Sequence, residues 1–188
     1  NANTTATLSA TGSLSGVISG DTVTLSSTGV TASFADKNVG TGKTVTTSGY
    51  TISGTDSGNY SLTQPTTTAN ITAATLTVAA NNETREYGTA NPTFSPVYNG
   101  FRNGEDISKI NKTGDPAFST DATITSDVDV YDITADVSGL SSKNYQFAAR
   151  GNKGTLTVGK ATLTVTPDNQ SITYGDPDPT FTFQYSGF

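Results

Sequence analysis

Residues 74–101 read ATLTVAANNETREYGTANPTFSPVYNGF, and residues 161–188 read ATLTVTPDNQSITYGDPDPTFTFQYSGF. The two stretches align without a gap at an offset of 87, with 14 of 28 positions identical. The shared positions include Leu76/Leu163, Val78/Val165, Tyr87/Tyr174, Gly88/Gly175, Pro92/Pro179, Phe94/Phe181, Tyr98/Tyr185 and Phe101/Phe188. Identity of this density over a gapless window marks an internal repeat, and a repeat decides the architecture before any single element does.

Two further pairs of segments support the same period. SGTDSGNYSL (53–62) is similar to SGLSSKNYQF (138–147) at an offset of 85, and Gly16, Gly20 and Asp21 parallel Gly100, Gly104 and Glu105. One repeat is thus about 86 residues, and the 188-residue chain is read as three parts. Residues 1–72 form a repeat whose opening strand is missing, 73–159 a complete repeat, and 160–188 the opening strands of a third.

Within a repeat the apolar period is two. Thr75-Leu76-Thr77-Val78 and Thr155-Leu156-Thr157-Val158 alternate polar and apolar residues, which on a strand sends Leu and Val to one face and Thr to the other. The expected core includes Leu76, Val78, Phe94, Tyr145, Leu156 and Val158. Turn chemistry is dense between such runs, at Ser19-Gly20-Asp21, Asn103-Gly104, Gly114-Asp115-Pro116 and Gly175-Asp176-Pro177 among others. Short strands so punctuated predict an all-β chain of tandem small β-sandwich-like domains in a rod.

One segment points elsewhere. Residues 104–110, Gly-Glu-Asp-Ile-Ser-Lys-Ile, follow Asn103 as a candidate N-cap with acids in the first turn, the pattern of a short helix. With such a helix each unit is β-grasp-like, and this stays open as the alternative fold. The joints are short in either case. Ala69-Asn70-Ile71-Thr72 runs into Ala73-Ala74-Thr75-Leu76, and Thr155–Val158 passes through Gly159-Lys160 into Ala161–Val165. Links of this length leave little slack between neighbours.

Composition bounds the function. Thr is the commonest residue at 37, apolar residues make up 32%, and the chain carries 16 aromatics as 8 Tyr and 8 Phe. That supports several thin cores, and the aromatics and alternating runs argue against disorder. A net charge of −6 repels phosphate backbones, so no nucleic-acid partner is expected. No apolar run approaches the roughly 20 residues of a membrane helix. Cys, His, Met and Trp are absent. Stability must then come from packing and sheet bonding without disulfides. The chain opens inside a Thr-rich run without an initiator Met or signal peptide, and reads as an internal piece of a longer exported protein.

The runs YGDPDPTFTFQYSGF (174–188), YGTANPTFSPVYNGF (87–101), GLSSKNYQF and KGTLTV resemble the MBG repeat domain of the YGX type. GVISGDTVTL, KNVGTGKTV and GTDSGNYSL in the opening third are similar to the companion YDG domain. Both families occur as arrays in filamentous-haemagglutinin-like and other large bacterial surface adhesins. The resemblance implies a secreted, cell-surface array of β modules and transfers no catalytic residue. At Arg85 and Glu86 the second repeat departs from the third, which has Ile172 and Thr173.

The residues offer little chemistry. A Ser-His-Asp or Cys-His nucleophile needs an imidazole that the chain lacks, so no enzyme, catalytic residue or organic cofactor is expected. Sixteen acids formally admit a two-carboxylate glycosidase, but they lie in polar, turn-rich stretches. Calcium is the one ion left open, at Asp127, Asp129, Asp132 and Asp136 or at Asp176 and Asp178, although no glycine-spaced calcium loop accompanies them. The repeated aromatics Tyr87, Tyr98 and Phe101 are read as packing in preference to a carbohydrate platform. Six N-x-S/T sequons, at Asn3, Asn59, Asn70, Asn82, Asn111 and Asn169, are candidate glycosylation sites. Two functions follow. The first is a structural stalk or spacer that projects a binding region from the cell, its partners being neighbouring repeats of the same chain. The second is an adhesive module that itself touches glycan, matrix or neighbouring cells. Strands at 161–188 left without their own domain leave two outcomes open: head-to-tail self-association by strand donation, or a continuous array whose remaining strands lie in the same polypeptide.

Overall fold

A computed structural model describes residues 4–9 and 12–188. Among the described residues the first repeat holds six strands: β1 (Thr5–Ala6), β2 (Thr24–Ser26), β3 (Thr31–Phe34), β4 (Gly40–Ser48), β5 (Thr51–Ser53) and β6 (Thr66–Ile71). The second holds β7 (Ala74–Ala80), β8 (Glu83–Glu86), β9 (Pro96–Asn99), β10 (Ala117–Ser119), β11 (Val130–Asp136), β12 (Tyr145–Ala149) and β13 (Gly154–Gly159). The third holds β14 (Thr164–Pro167) and β15 (Phe183–Ser186). Among the described residues the only helical element is a single 3-10 turn at Ser57–Asn59. The fold is all-β and sandwich-like.

Residues 104–110 correct the helical expectation. They form turns and no helix. Asn103 and Gly104 sit at φ 62° and 68°, left-handed values that an N-cap does not have. The Asp106 carboxylate then accepts from the Ser108 N–H at 2.9 Å, a local bond that competes with the helical ladder. With no helix to cross the sheet, the β-grasp alternative falls.

The chain divides into two compact units. Unit one comprises Asn1–Thr77, Tyr98–Gly114 and Leu140–Ala148. It contains an antiparallel sheet ordered β1-β3-β4-β6, the pair β2-β5, and most of a sheet ordered β12-β7-β9. Ala32, Val45 and Tyr50 are buried in its first repeat. Leu76, Ile110 and Tyr145 form a core cluster against which Ala74, Phe101, Ile107 and Phe147 pack.

Unit two comprises Val78–Val97, Asp115–Gly139 and Ala149–Phe188. Its main sheet is ordered β10-β11-β13-β8, antiparallel except for the parallel pair β13–β8. The strand order β10-β11-β13 repeats β3-β4-β6 of the first repeat. Ala80, Ala122, Ile133 and Leu156 make its core cluster, with Phe94, Phe118 and Tyr131 packed on it. Alternation is clear in β13, where Leu156 and Val158 are buried and Thr157 is exposed. Of the expected core, Leu76, Val78, Tyr145, Leu156 and Val158 are buried, and Phe94 is half-buried.

Arg85 is the one buried charged side chain among the described residues. Its guanidinium donates to Asn91 Oδ1 at 2.7 Å, to the Glu86 carbonyl at 3.1 Å and to the Thr123 carbonyl at 2.5 Å. Burying a charge is costly unless its donors are satisfied, and this fan of acceptors satisfies them. The departure from Ile172 seen in the sequence therefore pins residues 85–91 to 122–123.

The third repeat is a hairpin. Residues 164–167 pair with 183–186 antiparallel, Val165 opposite Tyr185. It reproduces its counterpart locally: Asn81 N–H donates to the Ser95 carbonyl at 2.9 Å, and Asp168 N–H to the Thr182 carbonyl at 2.9 Å. Gly100 and Gly187 also match, at φ 108° and 99°. A Cβ at Gly100 would sit 2.6 Å from the Thr75 carbonyl oxygen, and one at Gly187 would meet the Thr162 carbonyl, so both turns require glycine. Burial differs completely. Leu163 is 60% exposed and Phe188 95% exposed, whereas Leu76 is fully buried.

That contrast predicts the mutational response. Leu156→Ala should lower the unfolding free energy of the second repeat by about 2–5 kcal/mol in a urea titration, because it empties a closed core. Leu163→Ala should change it by less than about 0.5 kcal/mol, as exposed substitutions do.

Candidate functional site

The structure gathers polar side chains at one recurring device and at one joint, both inside unit one. The device starts from a tyrosine. Tyr60 and Tyr145 are counterparts at an offset of 85, each following an asparagine. The Tyr145 hydroxyl accepts from the Arg102 N–H at 3.0 Å and donates to Glu105 Oε2 at 2.7 Å. The Tyr60 hydroxyl accepts from the Ile18 N–H at 3.1 Å and donates to Asp21 Oδ2 at 2.6 Å. The faint parallel of Gly16, Gly20 and Asp21 with Gly100, Gly104 and Glu105 is thus the same clasp built twice.

Its electrostatics follow from the bonds. The Tyr145 hydroxyl is pushed up by burial and then by its bond to Glu105. The Tyr60 hydroxyl is pushed up chiefly by Asp21. Glu105 is held below its ordinary 4.5, first by the Tyr145 hydroxyl and then by Lys37. These are the marks of a protonated phenol donating to a carboxylate, a charge-assisted bond.

The joint lies where the first repeat meets the second. A loop at residues 36–39 is folded on itself: Lys43 Nζ bonds Asp36 Oδ1 at 2.5 Å and the Asn38 carbonyl at 2.9 Å. The Lys43 ammonium and the Asn38 N–H hold the Asp36 carboxyl down at about 2. Asn144 then bridges the repeats. Its Oδ1 accepts from the Val39 N–H at 3.0 Å, its Nδ2 donates to Asn38 Oδ1 at 3.1 Å, and its carbonyl accepts from the Ala74 N–H at 3.0 Å. Lys37 Nζ reaches Glu105 Oε1 at 3.4 Å. That ion pair is long and half-exposed, so it contributes about 1 kcal/mol at most. The directional amide bonds of Asn144 set the geometry.

The residues singled out from sequence are dispersed. Asp129 Oδ1 accepts from the Val130 N–H, Asp132 pairs with Lys153 at 3.0 Å, and Asp136 Oδ1 accepts from the Ser138 N–H. Asp127, Asp176 and Asp178 are exposed. No three acids converge as a metal site among the described residues. Tyr98 meets Phe147 edge-on at 6.5 Å and Phe101 meets Tyr145 at 6.3 Å, which places these aromatics in packing. Tyr87 is 44% exposed. Asn59, Asn70, Asn82, Asn111 and Asn169 are exposed, and Asn3 lies outside the described residues. Sequence reasoning missed Asn38, Asn144 and Lys37. The one trace of Asn144 was the Asn-Tyr pair shared by the two similar segments.

Tyr145→Phe keeps the ring on Phe101 and removes the clasp, at an expected cost of about 1–3 kcal/mol because Arg102 N–H and Glu105 both lose a partner. The pH profile should change with it. A lowered Glu105 contributes fully above pH 4.5 and loses its contribution as pH falls through its folded value. A raised Tyr145 contributes fully below pH 10 and fades as pH rises through its folded value. The melting temperature of Tyr145→Phe, followed by circular dichroism, should therefore fall less steeply than that of the parent at both extremes.

Among the described residues, no helix is long and apolar enough to cross a membrane. No curated protein and no solved structure matches the chain. The family model for the YDG domain matches residues 1–69, and that for the MBG domain (YGX type) matches residues 76–157 and again 163–188. The chain belongs to the MBG domain (YGX type) family, as a tandem β repeat opened by a YDG domain.

Proposed function

We propose that this chain is a non-enzymatic spacer, a set of stalk repeats in a secreted bacterial cell-surface adhesin that holds a binding region away from the cell. The observation that carries this reading is the joint. A flexible connection between two domains needs no conserved geometry, yet here a side-chain amide spans the two repeats with both its oxygen and its nitrogen. The linker adds to the stiffness, since only Thr72 and Ala73 separate β6 from β7. Surface display rests on the membership of the repeat families, whose arrays occur in such adhesins. The Cys-free composition supports passage through an export channel in an unfolded state.

Residual dipolar couplings test the spacer directly. Amides of β3 and β4 and amides of β9 and β12 should fit one alignment tensor in the parent chain. In Asn144→Ala they should need two, with each repeat still folded. A parent chain that already needs two tensors has a loose joint, and the spacer reading fails.

A further inference from the structure

Tension along a chain acts on a repeat through the strands by which the chain enters and leaves it. The second repeat is entered at β7, which lies between β12 and β9, and left at β13, which lies between β11 and β8. Each is flanked on both sides, so neither is an edge strand that peels away. Only Asn81 and Asn82 separate β7 from β8, and β8 pairs with β13 in parallel. We propose that this parallel pair is a mechanical clamp, and that the second repeat has the further function of bearing tension along the chain.

What a pull does to a strand pair depends on strand direction. In a parallel pair, pulling the start of one strand against the end of the other acts along both axes in opposite senses. All rungs are then sheared together, and the even spacing of parallel hydrogen bonds shares the force among them. The rungs are Glu83–Leu156, Thr84–Thr157, Arg85–Val158 and Glu86–Gly159. Further bonds extend the ladder at both ends. The Thr155 N–H donates to Asn82 Oδ1 at 3.0 Å, and the Tyr87 N–H donates to the Gly159 carbonyl at 2.8 Å.

Two features keep the ladder in place. Leu156 and Val158 are buried beneath it, which keeps water from competing for its bonds on that face. Arg85, within β8, is tied by its guanidinium to Asn91 and to the Thr123 carbonyl. A slip of one residue would turn Arg85 to the outer face and strip those acceptors of their donor, so the buried charge locks the register. Residues 87–154 follow β8 and precede β13, and they are shielded from tension while the ladder holds. The clamp goes beyond the spacer reading and rests on it only for the source of the tension, since a loose joint transmits a pull as a stiff one does.

The full chain has no Cys, so paired thiol handles can be introduced wherever the test needs them. Asn81→Cys/Lys160→Cys holds the chain before β8 and after β13 and pulls the ladder in shear. Asn81→Cys/Lys153→Cys holds it before both strands and opens the same ladder rung by rung. All three positions are exposed, so both variants should keep the melting temperature of the parent. In optical-tweezers stretching at one loading rate, the shear pair should withstand about two- to fourfold more force, because forced opening is set by the unfolding rate of the bonds under tension. Its rupture should release roughly 250 Å of chain, the extended reach of residues 81–160 less their folded span. Equal rupture forces in the two geometries overturn the proposal. So does a much shorter release in the shear pair, because residues 87–154 were then already pulled out and the ladder did not shield them. Neither outcome bears on the joint, which the dipolar couplings read separately.

Discussion

The interaction on which the first two repeats depend is a tyrosine hydroxyl held between a backbone N–H and a carboxylate. A Thr-rich chain with thin cores has few large side chains to fix loops in space. The clasp does so with one group. Tyr145 ties the turn at Arg102–Glu105 to the start of β12, across 40 residues of sequence, while its ring packs on Phe101. Tyr60 does the same for Ile18–Asp21 across 39. Both polar ends of the hydroxyl are satisfied, so the ring can be buried without an orphaned group. The turn it holds also presents Glu105 to Lys37, which adds a weak ion pair to the joint that Asn144 sets.

Much of the fold was legible in the sequence because it is local. The two-residue alternation of Thr155–Val158 placed Leu156 and Val158 inside, and the same alternation at Thr75–Val78 placed Leu76 and Val78 inside. The failure at residues 104–110 has an equally local cause. Asn and Gly read as a cap and a helix start, but both also tolerate left-handed backbone, and here they take it. Composition could not distinguish these, and the local bond from the Ser108 N–H to the Asp106 carboxylate favours the turn over the helix.

The joint was illegible for a different reason. Asn38 and Asn144 are 106 residues apart and neither sits in an alternating pattern. An amide is an ordinary turn residue until its partner is known. Arg85 is a similar case: alternation places it on an inward face, where a charge is the least expected residue. Only the acceptors of residues 86, 91 and 123 make that position tolerable.

The two copies of the ATLTV hairpin separate what is local from what is not. Their closing bonds are of equal length, their turn glycines share a left-handed φ, and Asp176 N–H reaches back to Thr173 as Thr89 N–H does to Glu86. Turn chemistry and backbone pairing therefore suffice to shape the hairpin. Burial does not come with that shape, since Leu76 and Leu163 occupy the same place in it and differ from fully buried to 60% exposed. A hairpin that is formed before it is covered costs little further backbone entropy when a partner surface arrives. In such a repeat, the fold is assembled from preformed pieces, and the sequence of a piece names the surface that it fits.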